Sequence, residues 1–568
     1  MRSTSLGKCV ILYLEIVTSG ILFAAVTANA NPSPAPVFLP PVTYSSGGKV
    51  PLSVAAVDLN HDGKPDLALA NYCIGNSNCT NTTPGEVAIL LGNGDGTFQA
   101  AVTYPSGGFV AWSIAVADMN GDGNPDLVVT NVGGSAGVGL GHSTVGVLLG
   151  NGDGTFQPAI ISDSGGFPGQ SVAVGDVNGD GKLDVVVGHC DISGACFTGS
   201  GNVAVLLGNG DGSFQPAVLY GSGGQDADAV AVADVNGDGK LDILAANCGV
   251  ANEVGPCPIH GVLGVLFGRG DGTFEFPVTY NSLSASRSLA VADVNGDHKP
   301  DILVAAQCGF ANCDNNGEGG VAVLLNNGDG TFQSTVMYAS GAYEANSVTV
   351  ADVNGDRKPD LLLANELVAC CTSTFGAASI LIGNGDGTFQ PAITYDLPGA
   401  ADAVAAADVN ADAKPDLLLA NGDSVSVLLN NTSFDTSPPA ITVSASPSIL
   451  WPPNGRLVPV TVFGTITDTV SGVNPTSPTY AVKDEYGLVQ PSGAISLGPG
   501  GSYSFLILLQ ASRLGSDFNG RHYEITVRAK NNAGNLGSKT AVVIVPHRHP
   551  GSNHEGRDQP GSDDHRHD

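Results

Sequence analysis

The pattern D-x-N-x-D-x-x-x-D occurs seven times in this chain, and its first Asp recurs as Asp58, Asp118, Asp176, Asp234, Asp293, Asp352 and Asp408, at intervals of 56 to 60 residues. Seven copies at a nearly constant period define a repeat architecture. Each unit has one plan: an apolar alternating run such as "SIAVAD", the acidic loop, a second run ("PDLVVTN"), a variable segment, a third run ending in "GNGDGTF", and a fourth ("FQPAVLY"). Four short apolar runs separated by turn residues read as four strands. The composition agrees, because 78 Gly and 34 Pro in 568 residues leave room for many turns and few long helices. A four-stranded unit cannot cover both its faces alone, and radial packing around an axis does so. The expected fold class is therefore all-β, a seven-bladed β-propeller of four-stranded blades followed by a C-terminal β-sandwich. A linear solenoid is the competing arrangement.

Ring closure separates the two. The last repeat stops at "SVSVLLNNTSF" without a fourth run, whereas "VFLPPVTYSSGG" (37–48) aligns with "SFQPAVLYGSGG" (213–224). A surplus strand at one end that fits a deficit at the other suits a ring, which leaves no open sheet edge. "AVADVNGDGKLDILAAN" followed by "GVLFGRGDGTF" resembles the FG-GAP/VCBS repeat of integrin-α-like propellers and of many secreted bacterial proteins. That resemblance spans about residues 37–434 and implies a calcium-binding propeller. It implies nothing definite about activity, since one fold hosts many functions.

The loop chemistry points the same way. Side-chain oxygens at positions 1, 3, 5 and 9, with the backbone carbonyl of position 7, can converge on one hard cation. The candidate metal residues are Asp58, Asn60, Asp62, Lys64 and Asp66 in the first loop and Asp118, Asn120, Asp122, Asn124 and Asp126 in the second. Asp176, Asn178, Asp180, Lys182 and Asp184 form the third set, and Asp234, Asn236, Asp238, Lys240 and Asp242 the fourth. The fifth is Asp293, Asn295, Asp297, Lys299 and Asp301, and the sixth Asp352, Asn354, Asp356, Lys358 and Asp360. Asp408, Asn410, Asp412, Lys414 and Asp416 complete the series. Oxygen-only ligands favour Ca²⁺ over Zn²⁺ or Cu²⁺, and Mg²⁺ prefers fewer protein ligands and more water. The plain alternative is a set of ordinary Asp/Asn/Gly turns, but three carboxylates crowded without a cation repel one another. Position 6, where Gly is favoured, holds Gly63, Gly123, Gly181 and Gly239 in four loops but His298, Arg357 and Ala413 in the last three, and loop seven also has Ala411 at position 4. Weaker or strained binding is expected there.

The formal net charge of −31 argues against nucleic acid and anionic membranes as partners. Much of it lies in the loops, and seven divalent ions would offset fourteen of those charges. The "GDG" segments read as tight hairpin turns followed by a buried Phe. Arg269-Gly270-Asp271 spells an adhesion tripeptide, but it stands where the sibling turns read N-G-D and is read as a drifted turn.

Residues 1–30 carry Arg2 and Lys8, an apolar run, and "ANA" before "NPSPAP", the pattern of a secretory leader cleaved after Ala30; an uncleaved anchor is the alternative. Once Cys9 is removed with it, ten cysteines remain, paired locally between the second and third strands: Cys73/Cys79, Cys190/Cys196, Cys248/Cys257, Cys308/Cys313 and Cys370/Cys371. Local disulfides suit an oxidising compartment, and adjacent Cys370 and Cys371 would bridge under strain or stay free. The propeller is expected over 31–434 and a sandwich over 435–546, where "LWPPNGRLVPVTV" and "RHYEITVRAKNNAGN" resemble bacterial immunoglobulin-like domains. Residues 547–568 read as a His-rich disordered tail.

Because strands alternate in direction, the acidic loops and "GDG" turns share one face of the disc, and the cysteine segments and "SGG" crossovers share the other. The second face varies between blades, and variable loops on a rigid scaffold are where recognition sits. The functional expectation is a secreted, monomeric, calcium-stabilised binding or adhesion protein for a glycan or cell-surface protein. An extracellular polysaccharide lyase or hydrolase is the alternative, as is a structural envelope protein. No nucleophile elbow, metalloprotease motif or Ser/His/Asp set supports an enzyme. The discriminating feature would be a carboxylate or His pair outside the repeat pattern in one central cleft, which the linear sequence does not reveal. Trp112, the sole propeller Trp, is expected in the core.

Overall fold

A computed structural model describes residues 35–547 except 75–78, 80–82, 134–141, 192–200, 251–260, 282–284, 308–317, 370–372, 433 and 436. The expected leader, Cys196, Cys257, Cys308, Cys313, Cys370 and Cys371, and the tail beyond His547 lie outside the described residues. Among the described residues there is no α-helix, and no helix long and apolar enough to cross a membrane.

Residues 42–428 form seven four-stranded antiparallel units. In the first, Lys49–Val57, Asp66–Cys73 and Pro84–Leu90 are followed by Val102–Ala117, a 16-residue strand whose second half opens the next unit. Burial grades outward. The innermost strand is half-buried, the second and third are almost wholly buried, and the outermost, such as Val218–Gly221, is largely exposed. Strands covered on both faces read as nearly continuous apolar runs, which is why "DLALANYC" carries so little polar alternation.

Period-two geometry divides each central strand between two neighbours. Ala68 and Ala70 pack with Ile114, Leu127 and Val129 of the second blade, whereas Leu67 and Leu69 pack with Leu418, Val425 and Val427 of the seventh. Seven such cores follow one another, one between each pair of successive blades, and the last joins blade seven to blade one. The ring is closed by Val42–Ser45, which pairs with Ser424–Leu428 in the register Val42↔Val427 to Ser45↔Ser424. Phe38 bridges to Asn430 as Phe98 bridges to Gly92. It thus occupies the place of the Phe that ends each "GDGTF" turn.

Those Phe rings have partners on the preceding blade. Phe98, Phe156, Phe274, Phe332 and Phe389 meet Tyr44, Tyr104, Tyr220, Tyr280 and Tyr338 edge to face at 5.0 to 5.6 Å between ring centroids, and Phe38 meets Tyr395 at 5.5 Å. Each pair contributes about 0.5–1.5 kcal/mol beyond area burial. Blade two offers Ser162 at the Tyr position, so the alignment accounts for one substitution in the series.

Residues 440–545 form a sandwich of two sheets. Ala440–Ile441, Ser444–Ser446 and Ser502–Gln510 flank Leu457–Thr467, and Thr479–Asp484 and Arg521–Lys530 lie between Ser492–Ala494 and Leu536–Val545. Val460, Val462, Ile507, Leu509, Ile525 and Val543 fill the interior. At one end Arg521 is fully buried, with Nε 2.9 Å from Asp484 Oδ1, Nη2 2.5 Å from Oδ2, and its guanidinium 4.8 Å from the rings of both Tyr486 and Tyr523. Burial works to raise the Asp484 pKa, but the Arg521 hydrogen bond and the backbone N–H groups of Tyr486, Val489 and Leu488 pull it down to about 2. The stabilisation is therefore complete above the ordinary Asp pKa and lost as pH falls through 2. Removing one partner strands a buried charge, so Arg521→Leu is expected to cost about 3–5 kcal/mol, and Arg521→Leu with Asp484→Leu substantially less. Denaturant titration of the three proteins at neutral pH checks this.

Candidate functional site

Each acidic loop joins the first and second strands of its blade, and all seven close in the same way. In the third loop the amide of Asp180 donates to both Asp176 Oδ1 (3.2 Å) and Asn178 Oδ1 (2.8 Å), which draws the oxygens of positions 1 and 3 together. The amide of Gly181 holds Asp176 Oδ2 at 2.8 Å, and that of Lys182 holds Asp180 Oδ1 at 2.9 Å. The double donation from the position-5 amide recurs at Asp62, Asp122, Asp238, Asp297, Asp356 and Asp412. Position 9 does different work. Asp184 is fully buried and accepts from Val177 N (2.9 Å) and Gly208 N (2.7 Å), tying the loop to the start of the "GDG" turn. Asp66, Asp126, Asp242, Asp301, Asp360 and Asp416 repeat this clamp. Burial raises the pKa of each clamp carboxyl, most at Asp360, to about 8.

Convergent oxygens without nitrogen or sulfur donors suit a hard cation. The Lys ammonium of position 7 stands near the position-5 carboxylate in five loops, for example Lys64 at 3.3 Å from Asp62 and Lys414 at 3.2 Å from Asp412. Such partly exposed pairs hold little energy. The "GDG" carboxylates are already engaged: Asp95 Oδ1 accepts from Thr97 N (3.0 Å) and Oγ1 (2.5 Å). Asp271 of the Arg-Gly-Asp triplet does the same with Thr273, which fits a turn.

Position 6 is left-handed in every loop, with φ of 81° at Gly181 but also 65° at His298, 64° at Arg357 and 63° at Ala413. Position 4 shares that requirement, which sequence reading caught at Ala411 (φ 59°) but not at His61 (φ 59°). No atom stands within 4 Å of a Cβ built at Gly121, Gly123, Gly181 or Gly239, so the cost at these positions is backbone strain. Ala411→Gly and Ala413→Gly are each expected to stabilise the protein by about 0.5–1 kcal/mol, the strain relieved less the entropy gained by the unfolded chain. Thermal denaturation of the two variants measures it.

Loop six is covered. Asn354 is 2% exposed and Asp356 4%, because the Phe434 ring lies over Gly355 and Arg357 packs against Gly534 of the sandwich. Asp435, just beyond, accepts from Ser471 Oγ (2.7 Å) and Asn531 Nδ2 (2.8 Å), fastening the linker to the sandwich. The other six loops are more exposed.

A second constellation lies on the propeller axis. A cavity of about 480 Å³ is lined by residues from the innermost strand of all seven blades. Each of those strands carries a β-bulge six residues before the first loop Asp. The pairing steps from Ala227↔Asn247 to Ala229↔Ala246, leaving Asp228 unpaired, and the same shift leaves out Leu52, Trp112, Gln170, Arg287, Asn346 and Asp402. A bulge re-aims the extra side chain, and all seven line the cavity. Glu344 and Glu366 join them. Carboxylates outside the repeat pattern, in one central cleft, are thus present. Trp112 lines this cavity half-buried, contrary to the expected core position, because the bulge turns it off the inter-blade face. The signal was available: aligned on the loop, position −6 is where the inner strands differ most.

Among the cysteines, Cys73 and Cys79 form a disulfide in the segment after the second strand, and Cys190 and Cys248 are disulfide-bonded as well.

Fold and loops together define the class: a closed all-β repeat ring with one acidic loop per blade. The FG-GAP-like repeat profile matches residues 73–129, 136–187, 188–245, 258–304, 310–363 and 365–419, and the FG-GAP repeat profile matches 50–90 and 285–324. These matches cover more than half of the chain, which belongs to the FG-GAP-like repeat family. It is 34% identical over 94 residues to phosphatidylinositol-glycan-specific phospholipase D of Bos taurus, a match to 15% of this chain that spans only 11% of that relative. A solved structure described as BBS1N in complex with ARL6DN, soaked with mercury, aligns with 70% of this chain and 98% of its own at 13% identity and a TM-score of 0.43, too low to bear on function.

Proposed function

We propose that this protein is exported, stabilised by calcium in its seven loops, and serves as a binding or adhesion module for a glycan or cell-surface protein rather than as an enzyme. The donor set fits Ca²⁺: side-chain oxygens of positions 1, 3 and 5, the position-7 carbonyl, and a position-9 carboxylate that keeps lone pairs beyond its two N–H bonds. Calcium there would neutralise the loop carboxylates and hold the turns in place. The observation that carries the binding reading is the division of labour between faces. The loop face repeats the same bonds seven times, while the bulged residues of the innermost strands differ from blade to blade, as do the cysteine segments in sequence. The sandwich, which resembles immunoglobulin-like domains, would act as a spacer or adhesive module.

A glycan array and a cell-surface binding assay, each with calcium and with chelator, test the reading. Variants in the described part of a crossover-face segment, such as Ile74→Asp, are expected to alter binding while leaving melting within about 0.5 kcal/mol of the parent. The carboxylates of the central cleft are the feature that favours the hydrolase or lyase alternative, and turnover of a polysaccharide by the purified protein would replace the binding reading with it.

A further inference from the structure

The central cavity is polarised. Among the described residues, blades four to seven contribute Asp228, Glu344, Glu366 and Asp402 with a single cation, Arg287, whereas blades one and two contribute Leu52 and Trp112. Asp228 is 8% exposed, and its Oδ2 accepts no hydrogen bond. Arg287 Nη1, at 3.6 Å, is beyond hydrogen-bond reach. Gln170, its amide turned so that nitrogen rather than oxygen faces the carboxylates, donates to Asp228 Oδ1 (2.5 Å) and Asp226 Oδ1 (3.1 Å). That leaves the second oxygen of Asp228 unsatisfied in a cavity. Burying carboxylates with too little counter-charge is costly, and burial pushes the pKa of Asp226 and of Asp402 up to about 6.

A metal ion does not answer this arrangement well. Among the described residues the one group of three metal-type ligands here is Asp226, Asp228 and Cys248, with ligand atoms within 4.8 Å of one another, and Cys248 is tied up in a disulfide. The remaining carboxylates come from other blades and make no further group of three within that distance. Acids spread along one arc, facing an aromatic and an aliphatic side chain, match an extended cation with an apolar or sugar-like body.

We propose that the central cavity is a binding site for a small organic ammonium ligand, its charged end among Asp228, Asp402 and Glu366 and its body against Trp112. The inference rests on the binding reading above and names the ligand class that the bulged inner-strand residues would take. It also disfavours anionic sugars as occupants, since the carboxylates outnumber Arg287. The ammonium could be carried by an amino sugar or by a free polyamine, and the two are distinguished by experiment.

The test is calorimetric titration of the full calcium-loaded chain with D-glucosamine, putrescine and N-acetyl-D-glucosamine, in parallel with Trp fluorescence. Glucosamine or putrescine is expected to bind and perturb the emission of Trp112, identified by comparison with Trp112→Phe, and the neutral N-acetyl sugar is not. Binding by glucosamine alone assigns an amino sugar; binding by putrescine assigns a polyamine. Asp228→Asn and Asp402→Asn should each weaken binding about tenfold or more, the loss of one charge-assisted hydrogen bond. Arg287→Ala should strengthen it, an opposite sign that general destabilisation does not produce. The proposal is overturned if neither cation binds at millimolar concentration, if the neutral sugar binds as well as glucosamine, or if Tb³⁺ luminescence sensitised by Trp112 and lost in Asp228→Asn reveals a metal site instead. The comparison of charged with neutral probes uses the unaltered protein, so it decides even where a variant fails to fold.

Discussion

Chelating calcium is expected to lower the melting temperature of this protein more than any single substitution. Each loop carries three Asp within nine residues, and if seven divalent ions fill the loops as proposed, their removal leaves 21 loop carboxylates with few compensating charges. A site at a hundred times its Kd contributes about 2.7 kcal/mol to stability, so several together rival the 5–15 kcal/mol that holds a typical domain. The clamps at position 9 couple the loops to the ring, because Asp184 bonds both its own loop and the turn that begins at Gly208. Loosening one loop therefore loosens the joint between the first two strands and the last two. Asp180→Ala, which removes one position-5 carboxylate, is expected to cost about 1–3 kcal/mol in calcium and much less in chelator. Scanning calorimetry of both proteins with and without chelator provides the measurement, and a chelator-insensitive transition would mean that the loops are self-sufficient turns. If Asp180→Ala instead abolished ligand binding while calcium-dependent stability persisted, the loop face would be the recognition face.

Removing residues 31–48 is expected to abolish the closed ring. The deletion takes away Val42–Ser45, exposing the full edge of Ser424–Leu428, and also the Tyr44 and Phe38 rings that pack on Phe98 and Tyr395. It further removes Ser46, whose amide and hydroxyl both bond the Asp423 carbonyl, at 3.3 and 3.0 Å. An unpaired edge beside a bared apolar core is a template for aggregation. Phe38→Ala isolates part of the effect: the ring is 7% exposed within the core between blades six and seven, and its truncation is expected to cost about 3 kcal/mol. Thr43→Ala, on the exposed side of the same strand, should cost little. Light scattering of the deletion and denaturant melts of the point variants report the outcome, and a monomeric deletion with unchanged melting would refute closure by this strand.

The ring, its seven copies and its closing strand were legible in sequence because they rest on periodicity, which survives in one dimension. The second and third strands announce themselves by unbroken apolar runs, and the partner for the incomplete last blade could be found by aligning 37–48 with 213–224. The loops were equally plain as folded turns, since side-chain spacing within nine residues is a local property. What the spacing did not reveal is that the four side chains differ in role: positions 1, 3 and 5 turn inward on shared amides, while position 9 is buried and held by a turn some 25 residues onward.

The central cavity was illegible for a different reason. Asp228, Arg287 and Asp402 lie 59 and 115 residues apart in positions that a simple strand alternation would assign to ordinary ladder pairing. Only the bulges, one per innermost strand, take them out of the ladder and aim them at a common axis. The chain by itself determined the repeat, the loop chemistry and the ends that close the ring, because each depends on residues near in sequence or on their periodic recurrence. Which polar side chains meet, and that loop six lies beneath Phe434, was decided only when radial packing brought seven distant strands around one axis and set the sandwich against one edge of the ring.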